Sequence, residues 1–329
     1  MESLKVGYIG LGRMAAVMAG AMNKMKHTDC FACASRNIEK AVSFKNEYGF
    51  ERAYGSYEEL IDDKDVDIVY VATPHSHHKD IVEKCLKAGK PVICEKAFTV
   101  NAHEARELTE LARRNNTFLA EAIWTRYMPI AKELRTLAHE RIGEIESVSV
   151  NLGYRTYENK RVRLPEYSGG SLLDVGIYCL TFLSLILGDD IEDISAVMNE
   201  TDTGVDGECF AMLVINDNGR KIPCRIHSSI MGPTDRRGIV YGSRGYMVVE
   251  NVNNFERVDI FENSHKCIYS VNAPVQPETG YVYQFEACRH ALDAGMIETD
   301  LMPHDETIRM MDIMDRIREK MNLKYPMED

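Results

Sequence analysis

The strongest constraint on how this chain folds lies in residues 6–18, VGYIGLGRMAAVM, where Gly10, Gly12 and Ala15 separate an apolar run from a stretch rich in alanine and methionine. Val6, Tyr8 and Ile9 suit a buried strand, and Met14 to Met25 suits a helix. The order is strand, tight turn, helix. Gly10 permits the turn, Gly12 lets a pyrophosphate approach the backbone, and Ala15 in the third small position keeps helix and strand close. Arg13 and Met14 lie on the same turn, and the helix N-terminus offers free N–H groups and a positive dipole end to an anion. On these residues alone two readings stand, a dinucleotide site and a plain strand-to-helix turn.

With 329 residues, the chain suits two domains, each with its own core. We expect residues 1–123 to bind the dinucleotide and residues 124–329 to bind substrate and dimerise. The net charge of -12, from 51 acidic and 39 basic residues, argues against nucleic acid or an anionic membrane as the main partner. The first strand begins by about Lys5, which leaves no room for a signal peptide, and the longest apolar run, Val175 to Leu187, is shorter than a membrane span. A soluble, cytoplasmic protein is the expectation. Nine cysteines lie scattered singly except Cys30 and Cys33, so reduced thiols are the simpler reading. That C-x-x-C falls in an expected strand, where positions three apart face opposite sides and one metal cannot take both sulfurs. The His75, His77, His78 cluster lacks further ligands nearby, and no metal is expected.

Apolar strand candidates recur at Cys30 to Ala34, Ile68 to Ala72, Pro91 to Cys94 and Phe118 to Ala122, with helical stretches between. This alternation indicates a parallel sheet covered by helices. Ser56 with Glu59, and Asn101 with Glu104, mark helix starts. Past Trp124 the texture changes. After a helix at about Pro129 to His139, polar and apolar residues alternate in EIESVSVNLGY and near Ile194 to Val197, Cys209 to Ile215, Ile222 to Ile230 and Val258 to Phe261, as in strands with one covered face. NDNG at 216–219 and GSRG at 242–245 read as hairpin turns, which makes these strands largely antiparallel. Helices are expected at Ser171 to Leu187, Tyr281 to Ala294 and His304 to Met321.

At the end of the second strand, where an acidic residue would select NAD(H), the chain has Ser35-Arg36, with Lys40 one helical turn on. A hydroxyl and a guanidinium suit a 2′-phosphate, so NADP(H) is favoured and NAD(H) remains possible. The alternative is an Arg36 that stacks over adenine or is solvated.

Several signals together, GYIGLGRMA, VATPHSHH at 71–78, EKA at 95–97 and GGSLLDVGIY at 169–178, resemble the glucose-fructose oxidoreductase / inositol dehydrogenase / rhizopine catabolism (GFO/IDH/MocA) family nearly end to end. EAIWTRYMP at 121–129, Tyr178 and the closing helix pattern are most similar to its dimeric dihydrodiol dehydrogenase / NADP-dependent D-xylose dehydrogenase branch. The resemblance implies an α/β N-terminal Rossmann domain and an α+β C-terminal domain with an open, mainly antiparallel sheet, a cleft between them, and a homodimer. It implies cofactor contacts at Thr73, Pro74, His75, His78, Glu95 and Lys96, and nicotinamide and substrate contacts at Trp124 and Arg126. It also gives catalytic roles to Lys96, Asp174 and Tyr178. Ala97 stands where the family usually has proline, and His75 where it often has asparagine.

These residues fit hydride transfer to or from a hydroxyl or carbonyl of a sugar, polyol or trans-dihydrodiol. A phenol titrates near 10 unperturbed, and a nearby lysine ammonium lowers it toward the working range. Tyr178 is therefore the expected acid/base, with Lys96 its charged neighbour and Asp174, four residues before it on one helical face, an orienting group. Tyr154, Arg155 and Tyr157 either line a sugar-sized pocket or cover a sheet edge. The rival functions are a cofactor-bound sensor without turnover and an NAD-dependent redox-assisted glycosidase.

Overall fold

The structure, a computed structural model, describes residues 3–273 and 280–328. It divides into two compact units, Met1–Tyr127 with Gln276–Met311, and Met128–Val275 with Asp312–Asp329. A single boundary after residue 123 therefore does not describe the division, because part of the C-terminal region returns to the first unit. The returning chain is tied to the sheet edge: Leu119 N–H donates to Ile297 O at 2.9 Å, and His304 Nε2 lies 2.9 Å from Leu119 O.

In the first unit, strands β1 (Leu4–Ile9), β2 (Thr28–Ala34), β3 (Arg52–Tyr54), β4 (Ile68–Val71), β5 (Val92–Glu95) and β6 (Leu119–Ala122) form one parallel sheet in the order β3-β2-β1-β4-β5-β6. Helices α1 (Arg13–Met22), α2 (Ile38–Tyr48), α3 (Tyr57–Asp62), α4 (His78–Lys87) and α5 (Ala102–Asn115) connect them. Their starts obey the local chemistry. Ser56 and Glu59 make a reciprocal capping box on α3, and the Asn37 and Asn101 side chains cap α2 and α5. Strands β1, β4, β5 and β6 are almost wholly buried, as a sheet covered on both faces requires.

One expectation about β2 fails. The pairing of β1 with β2 slips between Val6 and Gly7, so that Cys30 pairs with Val6 and Ala32 with Gly7. Phe31 is the extra residue of a bulge, which resets the two-residue alternation. Cys30 and Cys33 consequently join the same apolar cluster as Val6 and Tyr8 instead of facing opposite ways. Their sulfurs meet backbone carbonyls of Ala19 and Ala41, and burial pushes both thiols up to about 12, far from the thiolate that a metal needs.

The second unit contains β7 (Ile145–Gly153), β8 (Ile191–Glu200), β9 (Asp206–Asp217), β10 (Arg220–Ser229), β11 (Gly238–Gly242), β12 (Gly245–Glu250), β13 (Arg257–Glu262) and β14 (Cys267–Asn272). They form a second sheet in the order β14-β13-β12-β11-β7-β10-β9-β8. Both expected hairpins are present, and the one parallel pair in this sheet is β7 with β10. Helices α6 (Leu134–Ile142), α7 (Lys160–Arg163) and α8 (Ile177–Leu187) belong to this unit. The helix expected from Pro129 is split, with a 3-10 turn at Pro129–Lys132 ahead of α6. The last helices, α9 (Val282–Asp293) and α10 (His304–Met321), lie close to their expected bounds, and the division between units falls within α10.

The α8 region also differs from expectation. Leu172–Gly176 is a π-helical turn that runs straight into α8. Counted through all its turns, Pro165–Leu187 is long and apolar enough to cross a membrane by length and composition, which the shorter run read from the sequence is not. In its most apolar window 89% is buried within the protein.

Candidate functional site

In the first unit, the site residues gather at the carboxyl ends of the parallel strands. Gly10 has φ of +92°, and a Cβ there would lie 2.7 Å from the carbonyl of Ala72 and 2.8 Å from Thr73 Cγ2. Backbone conformation and close approach both demand glycine. At Gly12 a Cβ would meet nothing within 4 Å, and this residue begins α1 in an extended conformation with no side-chain cap. The first N–H groups of α1 thus lie beneath open space, while buried Ala15 packs the helix against the sheet. Thr73 Oγ1, beside Gly10, is buried without a hydrogen-bond partner. A bare turn, a helix start and an orphaned hydroxyl fit a dinucleotide's phosphates and ribose.

Ser35 follows β2, and its hydroxyl accepts from Asn37 N–H at 3.2 Å. Arg36 and Lys40 are exposed. Arg36 lies near His77, which is held below the usual histidine range by burial and then by that guanidinium. Ser35, Arg36 and Lys40 thus place a hydroxyl and two cationic side chains in the segment that follows β2, with Glu39 also exposed in the first turn of α2.

The three histidines have different surroundings. His75 is buried and its ring meets that of His78 edge to face, with centroids 5.8 Å apart. His78 is fully buried: Nε2 lies 2.8 Å from Thr73 O, and Nδ1 lies 3.1 Å from both Ala97 O and Phe98 O. Burial lowers its pKa to about 4 against the pull of those carbonyls, and a ring with a single N–H donates to one of these two sides and packs against the other. Expected as a cofactor contact, it instead staples the Thr73 turn to the turn after Lys96. Among the described residues no cluster of three or more His, Cys, Asp or Glu is arranged to hold a metal.

Glu95 accepts from Tyr70 Oη at 2.6 Å and is buried, whereas Lys96 is partly exposed at the strand end, and the Lys96–Ala97 peptide is cis. Trp124 packs on Tyr281 with centroids 4.4 Å apart. Arg126, expected near the nicotinamide, forms an ion pair with Glu306 at 2.6 Å and donates to Leu301 O at 3.2 Å. It ties the returning chain to the end of β6. Beside it lies Glu121, which sequence reasoning missed. Its carboxyl is fully buried, and burial raises it to about 8.

In the second unit, Asp174 lies in the π turn and Tyr178 in the first turn of α8, both almost buried. α spacing would put Asp174 and Tyr178 on one helical face, whereas a π turn bonds i to i+5 and shifts the offset between the two side chains. Asp174 Oδ1 accepts from Arg161 Nη2 at 2.9 Å. Arg161, on α7, is a second residue missed from the sequence, where it lies within the basic run Lys160–Arg163. Tyr154 Oη donates to Asn253 Oδ1 at 3.1 Å. Tyr157 packs on the small cluster of Val162, Val205 and Ile230, with Arg163 over its ring, and Arg155 is exposed. These three residues are engaged separately and form no single aromatic platform.

The chain is similar to known proteins over nearly its whole length. Residues 4–122 match the oxidoreductase family with an NAD-binding Rossmann fold, and residues 131–248 match the GFO/IDH/MocA C-terminal domain. A trans-1,2-dihydrobenzene-1,2-diol dehydrogenase of Xenopus laevis is 31% identical over 98% of this chain and 99% of its own, and the Homo sapiens protein of that name is 30% identical over 99% of each. Among solved structures, a 3-ketoreductase from Actinomadura kijaniata, in complex with NADP and TDP-benzene, superposes with a TM-score of 0.87 at 25% identity, over 97% of this chain and 98% of its own. An aldose-aldose oxidoreductase from Caulobacter crescentus shares the fold, with a TM-score of 0.85 at 20% identity over 97% and 98% of the two chains. With both domain models matched and relatives aligned over nearly its whole length, the chain belongs to the GFO/IDH/MocA family of NAD-binding oxidoreductases.

Proposed function

We propose that the protein is an NADP(H)-dependent dehydrogenase acting on a hydroxyl or carbonyl of a sugar, polyol or trans-dihydrodiol, with Tyr178 as the proton-transfer group. The observation that carries this reading is the contrast along one segment. Leu172 to Leu187 is a buried, mostly apolar run, yet it carries Asp174 and Tyr178, and Asp174 is matched by Arg161. Buried polar groups are costly unless paired, so a carboxylate and a phenol placed together in such a run call for a chemical reason. The relatives named as diol dehydrogenases add the substrate class.

When bound, a nicotinamide accepts or returns the hydride. In oxidation, Tyr178 Oη takes the substrate hydroxyl proton while the C–H electron pair leaves as hydride, which leaves a carbonyl. In reduction, Tyr178 returns that proton to the oxygen. Lys96 supplies positive charge that favours tyrosinate and holds the reacting oxygen. Asp174 accepts from a neighbouring substrate hydroxyl, and Arg161 keeps its carboxylate charged and oriented. Ser35, Arg36 and Lys40 bind the 2′-phosphate that distinguishes NADP(H) from NAD(H). The nine cysteines, all free and eight of them buried, support a cytoplasmic location.

Tyr178→Phe keeps the ring and its packing and removes the atom that titrates. Turnover should fall by roughly 10²–10⁴, the usual weight of a positioned acid or base, while NADPH binding measured by fluorescence survives. Lys96→Met should do comparable damage, and the double variant should be far less than additive. Near-wild-type turnover in Tyr178→Phe would move proton transfer away from this residue.

A further inference from the structure

Asp206, the first residue of β9, is fully buried, and no step above uses it. Its Oδ2 accepts from Leu172 N–H at 2.7 Å and from Ser171 Oγ at 2.9 Å. Leu172 opens the π turn, and the first N–H groups of a helix have no partner within it. Ser171 and Leu172 are also fully buried, away from bulk solvent, and a carboxylate near the positive end of the helix dipole serves them.

The neighbouring glycines are cut to this carboxylate. A Cβ on Gly170 would fall 1.9 Å from Asp206 Oδ1, and φ there is +115°. A Cβ on Gly169 would fall 2.4 Å from Val162 O. The GGS at 169–171 is therefore a tight passage between Val162 and Asp206. Ser228 completes the fit. Its Oγ lies 2.9 Å from Ser171 Oγ, and a Cβ on Gly176 would come within 3.1 Å of it, so one serine touches the segment just before Leu172 and again just before α8.

We propose that Asp206 is a positioning residue for the dehydrogenase reaction: by holding Ser171 and Leu172 it fixes the start of the helical segment that presents Asp174 and Tyr178. The proposal rests on the reading of Tyr178 as the proton-transfer group. A helical segment packed on a sheet moves as a unit, so slack at residue 172 reaches residue 178, and misplacement of about 1 Å at a reacting group is enough to cost turnover. The carboxylate is the holding form. Burial raises its pKa to about 6, against the bonds from Leu172 and Ser171. The other titratable groups facing it are Cys209, on β9 itself, and Tyr325, whose ring lies under Arg318, itself paired with Glu328 and Asp315. Cys209 and Tyr325 are both raised by burial and stay neutral through this range, so protonation near pH 6 belongs to Asp206.

The test is Asp206→Asn, with kinetics and amide hydrogen exchange measured on the full-length protein. The amide keeps one acceptor oxygen and loses the charge. Turnover should fall roughly tenfold, the weight of a hydrogen bond to a charged group, with KM for NADPH within about twofold of wild type. The wild type should show an acidic limb in turnover near pH 6 that the variant lacks. Amides of residues 172–178 should exchange about tenfold faster. Wild-type turnover with the acidic limb intact would overturn the proposal, and so would an equal loss of NADPH affinity, which would mean general loosening. If Asp206→Asn does not fold, Ser171→Ala, which removes one of the two donors, should lower turnover about threefold and speed the same amides; no change in either overturns it. If the wild type turns over no substrate, the dehydrogenase reading fails by itself, and the exchange result still decides whether Asp206 holds the segment.

Discussion

The two sheets of this protein use their surfaces in opposite ways. The first, all parallel, is covered on both faces and places its site residues at strand ends: Gly10 after β1, Ser35 after β2, Thr73 after β4, Lys96 after β5 and Trp124 after β6. The second carries Asp174 and Tyr178 on a segment that covers one face, and the face with Val197, Phe210 and Met212 stays open, at 67%, 43% and 61% exposure. Register places these apolar residues together, since Val197 pairs with Phe210 and Ser195 with Met212, while Phe210 stacks on His227 at 4.0 Å. In the parallel sheet, the candidate binding groups are turn backbone and loop side chains. In the mixed sheet, the proposed reactive groups are buried in a helical segment on one face, and the other face is left open.

A charge placed on the open face tests what covers it. We propose that a second copy of the chain covers it. Met212→Glu would then put two carboxylates into the interface, one from each subunit of a symmetric pair, with an unpaired buried charge costing several kcal/mol each. Light scattering at micromolar concentration should change from a dimer mass to a monomer mass. Val42→Glu, at a comparably exposed apolar position on α2 of the first unit, should leave the dimer intact. A monomeric wild type, or a Met212→Glu dimer, would remove the proposed interface.

A smaller effect tests the strand-end half. Arg36→Ala should weaken NADPH binding about tenfold, roughly 1.4 kcal/mol from an exposed charge-assisted contact, and leave NADH binding nearly unchanged. Equal losses for both cofactors would show Arg36 stacking on adenine instead of binding the 2′-phosphate.

The same contrast explains what could be read from the sequence. Strand-end sites announce themselves locally, because Gly10 and the Ser56–Glu59 and Asn101–Glu104 caps are dictated by backbone needs within a few residues. The hairpins at 216–219 and 242–245 were legible for the same reason. The bulge at Phe31, by contrast, depends on the register with β1, and three-residue β3 is too short to show a period. Asp206 lies 35 residues from the serine it holds, and Glu306 lies 180 from Arg126, so neither partnership leaves a local trace. The return of residues 276–311 to the first unit is likewise a matter of tertiary pairing at β6.

A third effect concerns the buried carboxyl of the first unit, and it separates that unit from the second by pH. Asp206 is served by two donors and is raised to about 6, whereas neither oxygen of Glu121 has a hydrogen bond of good geometry. The Thr307 hydroxyl, the Arg126 guanidinium and the Phe98 N–H lie near enough to favour its charge, but burial outweighs them and raises it to about 8. A carboxyl whose folded pKa exceeds its unfolded value gives stability that is complete below the unfolded value, near 4.5, and is lost as pH rises through the folded one. Between those values the native state binds a proton that the unfolded chain has released, and the slope is at most about 1.4 kcal/mol per pH unit. Glu121→Gln does not titrate. Its melting temperature should therefore gain on the wild type by a few °C per pH unit at most, from about pH 5 to 8, and the gain should level off above that. The slope is the informative quantity, because burying the amide shifts the midpoint by the same amount at every pH. Asp206 is common to both proteins and cancels from the difference. Parallel melting curves from pH 5 to 9 would mean that Glu121 is served by water or by one of its neighbours in solution, and the two buried carboxyls would then be alike.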